Sequence, residues 1–414
     1  MTRIVTPGRV HALVQAEALP SGNADTASMH PDHILAAPAH PDPYPYYAAL
    51  AAGPALVFDE RHGFWMAAHP DVVRAILTSP ACRVRPPAGP VPAAIAGSPA
   101  GEVFARLIRM NEGARHGPSR RVLQQVMGRA DLARVRTRTA EIAGTPLTLG
   151  SCDGPALSQW TADVPVMAVA DWLGFDAKAL PEVAVWVADF VACLSPRSTT
   201  LQLDAASAAA SALLARLEIL VDQAAAGDGS TLALLKAEAA ASGWQDRQAL
   251  LANLVGLLSQ TCEATAGLLG NSIVAITRRP GVVAELRGQP ARLQAFVAFV
   301  SRHDPSIHNT RRFVSAPVDV AGQMLQAGDA LLLVLAAGHP APGSQPSAWW
   351  PDGTGAAPHA FGHGIHQCPG EALACTVAAA ALACWLELLA GTGAAMPAGW
   401  TYRPLPNARI PVFQ

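Results

Sequence analysis

Apolar residues recur at three- and four-residue intervals through most of the region from 115 to 290, the spacing that lines up one face of an α-helix. Breaks are expected at Gly144–Pro146, Gly150–Gly154, Ser195–Arg197 and Gly227–Gly229, where turn-forming residues interrupt the pattern. The longest unbroken pattern runs from Asp246 to Arg279 and stops at Arg-Arg-Pro-Gly. At about 1.5 Å per residue, a helix of that length spans a whole domain. A different period appears nearer the termini. Ala55–His69 alternates like a hairpin with its turn at Glu60–Gly63. Short helices are expected at Pro45–Ala52 and at Pro70–Leu77, the second opening on proline. Residues 83 to 100 hold too many prolines for regular structure and read as a long loop. After a further helix pair, Val318–Ala337 reads as strands and turns, and the tail from Thr401 as short edge strands. The expected fold is mostly α with small β-sheets at both ends, and the length fits two or three ordinary domains or one large core.

Composition narrows the partners. Hydrophobic residues make up 51% of the chain and charged residues 14%, which favours a large buried core over disorder. A net charge of -2 gives no field that would draw nucleic acid or an anionic membrane. The first residues lack the pattern of a secretory signal. The most apolar stretch, Ala372–Ala390, carries Thr376, Glu387 and two cysteines, so it reads as a core helix. Seven widely spaced cysteines suit reduced thiols in the cytoplasm. Phosphate-loop, dinucleotide and Gly-x-Ser-x-Gly motifs are absent from the sequence.

The stretch FGHGIHQCPG, Phe361–Gly370, concentrates constraint around one thiol. Gly362 and Gly364 permit positive φ and close approach of a flat ligand. Pro369 suits the first position of a following helix. A cysteine at such a helix start is favoured as thiolate by the helix dipole and free N–H groups. No second Cys or His follows at zinc spacing. Metal ligand, nucleophile paired with His363 or His366, and buried core residue all remain open from the residues alone.

The order Phe361-Gly362-x-Gly364-x-His366-x-Cys368-x-Gly370 resembles the haem-binding loop of the cytochrome P-450 family. The resemblance covers most of the chain and implies one catalytic domain over residues 1–414. It implies the P-450 fold, with haem b (iron protoporphyrin IX) between the long central helix and the Cys-loop helix, Cys368 as axial ligand and a thiolate that favours O–O cleavage. By the same resemblance His366 meets a haem propionate, Phe361 packs beneath the sulfur, and Gly362 and Gly370 belong to the cofactor loop. NEGARHGPSRRVL resembles the helix crossing the haem edge, so His116 and Arg120, four apart on one face, are expected at the propionates. Arg312 in NTRRFV matches a third propionate cation.

Three departures bear on the chemistry. Leu257–Asn271 resembles the family's oxygen-binding helix and keeps an acid, Glu263. Its usual threonine is Ala264, with Thr265 about 100° further round. Gln260 and Thr261 replace a kinking Ala-Gly pair. Altered proton delivery, or oxidative coupling in place of oxygen insertion, is implied, with Glu263, Ala264 and Thr265 as the catalytic positions. Second, the core Glu-x-x-Arg pair reads Phe299 and Arg302, so Arg302 needs other acceptors, such as backbone carbonyls or Asp304. Third, Pro369 supplies no N–H to the sulfur, which implies a lower iron potential.

The resemblance places the substrate among Val84–Met110, Gly256–Ala264, Ser306–His308 and Pro404, with Ser259, Gln260, Ser306 and His308 as polar contacts in a mostly apolar pocket. It implies a monomeric, cytoplasmic oxidoreductase tailoring a secondary metabolite, an aromatic or amide-containing small molecule. Electrons would come from ferredoxin and ferredoxin reductase. A peroxide-driven peroxygenase is an alternative, since Pro369 also occurs in that branch. That branch uses an arginine above the haem, whereas the long helix has none before Arg278. A degenerate, non-catalytic haem protein is a third reading.

Overall fold

The computed structural model describes residues 30–86, 89–149, 153–195, 197–337, 359–393 and 395–414, and the side chains within these ranges other than those of 145–149. The N-terminal helix α1 (Tyr44–Ala52) leads into the expected hairpin, β1 (Val57–Asp59) and β2 (Phe64–Ala67), paired antiparallel. Next comes α2 (Pro70–Thr78), with Pro70 in its first turn and the His69 side chain accepting from the Asp71 N–H. The proline-rich loop after β3 (Cys82–Arg83) holds a single 3-10 turn, and α3 (Pro99–Arg106) ends it.

The helical region comprises α4 (Gly117–Gly128), α5 (Leu132–Leu149), α6 (Gly154–Trp172), α7 (Leu180–Ala192), α8 (Thr200–Gln223) and α9 (Thr231–Ala241). The expected break at Gly144–Pro146 does not occur, because α5 runs through it. Pro146 falls in the last turn, where it removes one terminal backbone bond. The chain instead turns at Gly174, whose φ of 94° suits only glycine. The long pattern is one helix, α10 (Arg247–Arg278), capped by the Asp246 side chain on the Ala249 N–H at 2.9 Å. It crosses the core against α6 and the C-terminal α13 (Glu371–Thr392). Between them lie the short α11 (Val283–Leu286) and α12 (Pro290–His303).

Strands from both ends of the chain share one sheet. After β4 (Asn309–Val314), β5 (Val318–Val320) and β6 (Gln323–Leu325), strand β7 (Ala330–Val334) pairs with β4 and, in parallel, with β2, giving the order β1-β2-β7-β4-β3. All of β7 is buried: Leu332 and Val334 face Tyr44 and Phe64, while Leu331 and Leu333 face Val73 and Ile76. The tail forms the two-stranded β8 (Trp400–Tyr402) and β9 (Pro411–Phe413). The helical stretch ending at Thr392 is apolar enough to cross a membrane by length and composition, but most of it is buried inside the fold, as a core helix is.

The missing Glu-x-x-Arg pair resolves differently from expectation. Arg302 is exposed. Phe299 is buried and stacks on His303 with ring centres 3.8 Å apart. Asp304 belongs to another cation: Arg409 Nε donates to its carboxylate at 2.9 Å, and the Tyr44 hydroxyl donates to the same oxygen at 2.5 Å. Arg409 is fully buried, lies over the Tyr402 ring, and donates to the carbonyls of Pro38, His40 and Pro41.

Candidate active site

A cavity of about 470 Å³ separates α10 from the Cys368 loop, within the range of about 300–1,000 Å³ usual for ligand sites. The loop is tied by the Cys368 N–H donating to the Phe361 carbonyl at 2.8 Å. Gly362 and Gly364 take φ of 73° and 70°, which explains the glycines. A side chain on Gly364 would also meet the Leu77 carbonyl at 3.2 Å, so this glycine makes room for α2 rather than for a flat ligand. Pro369 sits in a turn before α13, whose cap is Gly370, and so is not the first helical residue.

Cys368 is accessible and lines the cavity. The low dielectric of the surrounding cavity wall pushes its thiol up, and the Gly370 N–H and the Arg120 guanidinium pull against it in part. Among the described residues, no three His, Cys, Asp or Glu side chains gather as a metal cage, so the donor set is a single sulfur.

His116 caps α4 and, with Arg120 one turn later, lines the cavity. Phe361, Gly362, His366, Gly370 and Arg312 line it too. Burial first, then the His366 and Arg120 charges, lowers His116 to about 4. The His116 and His366 rings lie 4.6 Å apart, and His366 Nε2 is buried without a hydrogen-bond partner. Glu112, which the sequence reading missed, accepts from the Val84 N–H at 2.7 Å and stands 3.8 Å from His366 Nε2, too far for a hydrogen bond. Arg120 donates to the Gln367 carbonyl, and Arg312 Nη1 to the Arg311 carbonyl at 2.8 Å. An orphaned imidazole nitrogen and converging cations beside a lone sulfur fit a flat dianion with a metal that accepts one thiolate.

On α10, Ala264 and Thr265 both line the cavity, so the 100° offset does not turn Thr265 away. Gln260 lines it as well, while Nε2 donates to the Gly256 carbonyl at 2.8 Å; the Thr261 hydroxyl donates to the Leu257 carbonyl. Glu263 does not line the cavity. Burial raises its carboxyl, and Arg109 and Arg403 oppose the shift.

Two of the expected substrate contacts are corrected. Ser259 is buried on another face and donates to the Gly256 carbonyl at 3.3 Å, and it does not line the cavity. His308 is fully buried, bonded through Nδ1 to the Tyr47 hydroxyl at 2.8 Å, and is a core histidine. Ser306 does line the cavity. So do two arginines the sequence reading did not assign, Arg109 and Arg311. Their signals were an isolated cation among Leu107, Ile108 and Met110, and an Arg-Arg pair on a strand, where neighbours face opposite sides. An arginine therefore does reach the cavity, from the segment before α4 rather than from α10.

A mostly helical fold with a single thiol in a cavity beside a long helix fits the class of haem-thiolate oxidoreductases. No protein-family model matches the chain. It is 29% identical over 360 residues to the cytochrome P450 monooxygenase PikC of Streptomyces venezuelae, covering 84% of this chain and 83% of that one. It is 30% identical over 240 residues to cytochrome P450 144 of Mycobacterium tuberculosis, 57% of this chain and 55% of the relative. Solved structures share the fold. P450BioI with a hexadec-9Z-enoic acid ligated acyl carrier protein has a TM-score of 0.71 at 19% identity, with 89% of this chain and 96% of that one covered. CxnD, for C–S bond formation in chuangxinmycin biosynthesis, has 0.69 at 17%, covering 95% and 97%. The chain is an oxidoreductase similar over most of its length to cytochrome P-450 monooxygenases, with haem b as its cofactor and redox partners as its electron source.

Proposed function

We propose that Cys368 ligates haem iron, that His116, Arg120, Arg312 and His366 meet the haem carboxylates, and that the enzyme oxidises a small natural-product intermediate between the haem and α10. The observation that carries this reading is the lone accessible thiol of Cys368 in a cavity also lined by those two histidines and two arginines. The bound haem would supply oxygen activation. The chain's own residues orient the substrate, through Gln260, Thr265 and Ser306, and exclude water with the apolar wall. Ala264 offers no alcohol, so a proton must come from Thr265, from water, or from the substrate. Glu263 does not line the cavity and can act only through such an intermediary.

Relatives support a tailoring role: one is 20-oxo-5-O-mycaminosyltylactone 23-monooxygenase of Streptomyces fradiae, matched over 39% of each chain. Both hydroxylation and oxidative coupling fit a cavity wall with alanine at 264. A ferredoxin is the electron donor in this reading, and the protein works as a monomer. The test is the reduced carbon monoxide difference spectrum of the purified protein and of Cys368→Ser. The parent is expected to give the thiolate band and the variant to lose it. A variant that retains the band would refute the ligand assignment.

A further inference from the structure

The cavity wall holds two cations that the reading above leaves without an anion. Arg109 is fixed by its neighbours. The Ile108 N–H donates to Asn253 Oδ1 of α10 at 2.8 Å, and Leu107 Cδ2 fills the space where a side chain on Gly256 would lie. The residue is thus anchored beside the N-terminal half of α10, and it lines the same cavity as the thiol. Its Nε is buried with no hydrogen-bond partner, and it forms no ion pair among the described residues. Glu263 is the acid whose charge it feels, and Glu263 does not line the cavity.

Arg311 makes the same point from another element. It lies on β4 opposite Leu332 of β7 and lines the same cavity. Its backbone carbonyl is taken by Arg312, but its guanidinium has no hydrogen bond or ion pair among the described residues. Burial works against its charge, and among the described residues no carboxylate opposes that. Guanidinium groups withdrawn from water without a hydrogen-bonded carboxylate partner are costly. Planar forks of this kind match a carboxylate or phosphate through paired N–H donors.

We propose that Arg109 and Arg311 bind an anionic group of the substrate, a carboxylate or a phosphate, and hold its apolar body against Leu257, Leu268 and Ile307. The inference rests on the reading of this cavity as the chamber for haem and substrate. It replaces the aromatic or amide-bearing expectation with an amphiphile: an apolar body with a charged end.

The experiment is calorimetric and spectral titration of the haem-loaded protein with phenylbutyrate, phenylhexanoate and laurate, their methyl esters, and dodecyl phosphate. A charge-assisted hydrogen bond predicts that the acids bind at least about tenfold more tightly than their esters. Comparison of laurate with dodecyl phosphate decides which anion the site takes. Arg109→Gln and Arg311→Gln should each reduce the preference while keeping the carbon monoxide spectrum of the parent. Arg311→Met should leave the melting temperature of the ligand-free protein unchanged or higher, since it removes an uncompensated charge. Esters that bind as tightly as acids, no binding by any acid, or a preference that survives both substitutions would overturn the proposal. Loss of the haem spectrum in either glutamine variant would overturn it too, by assigning that arginine to the cofactor. Calorimetry reads the acid preference without relying on the haem signal, so failure of the cofactor reading and failure of the anion site give separate results.

Discussion

Arg409→Met keeps an apolar stem over Tyr402 but removes the guanidinium. Asp304 then loses its 2.9 Å partner, and the carbonyls of Pro38, His40 and Pro41 lose their donors. Taking one partner out of a buried ion pair costs about 3–5 kcal/mol. An unfolding entropy of about 2.1 cal/mol/K per residue amounts to about 0.9 kcal/mol/K for 414 residues. The melting temperature should therefore fall by about 3–6 °C. Asp304→Asn in the same background removes the stranded charge and keeps an acceptor for the Tyr44 hydroxyl. The double variant should regain at least about 1 kcal/mol relative to additivity. Arg302→Ala, in the exposed arginine of the altered motif, should stay within about 0.5 kcal/mol of the parent. Scanning calorimetry of the haem-loaded proteins gives all four values. Additive single effects, or an Arg302 variant as damaging as the Arg409 one, would refute the assignment of the buried charge anchor to Asp304 and Arg409.

Three further outcomes are expected. His116 titrates near 4 in the fold against an ordinary 6.5, so between those values the unfolded chain binds a proton that the folded chain does not. Haem-free protein should lose stability as pH falls through that window, and thermal melts of His116→Gln should show a shallower slope; equal slopes would remove His116 as the cause. Ala264→Thr should raise coupled turnover less than about tenfold, or about 1.4 kcal/mol, with the product unchanged. A larger gain with the same product would argue against a specialised coupling site. Pro369→Leu restores an N–H beside the sulfur and should raise the iron potential in a redox titration, and an unchanged potential would show that the Gly370 N–H already sets it.

Much of the helical frame could be read locally. Asp246 as a cap and the Arg-Arg-Pro-Gly stop bracket α10 to within a residue, because caps and proline act on neighbouring backbone. The hairpin from Val57 to Ala67 likewise follows from alternation and a turn. Pro146 misled because a proline near a helix end removes only one bond and need not break it. The site was legible where one short segment carried it, as in Phe361–Gly370. It was not legible where a side chain's surroundings come from distant parts of the chain. His308 looks like a pocket residue until Tyr47, more than two hundred residues earlier, encloses it. Ser259 and Gln260 differ only in which face of α10 they occupy. Arg302 is buried by analogy and exposed in fact, since its glutamate partner became Phe299. Arg109 and Arg311 have no motif; what marks them is burial without a partner, a property of the folded state.

The clasp made by Arg409 also bears on how the chain is synthesised. Its guanidinium binds carbonyls 368 to 371 positions earlier. The segment around Pro38 leaves the ribosome long before Arg409 exists, so it must wait, with its carbonyls in water, while α1 to α13 assemble. Closing so long a loop is entropically affordable because the cost rises only logarithmically with length. The final native contact on Asp304 thus forms only after Arg409 has been made, and a nascent chain stalled before Arg409 would expose Tyr44, Asp304 and the adjoining core to chaperones.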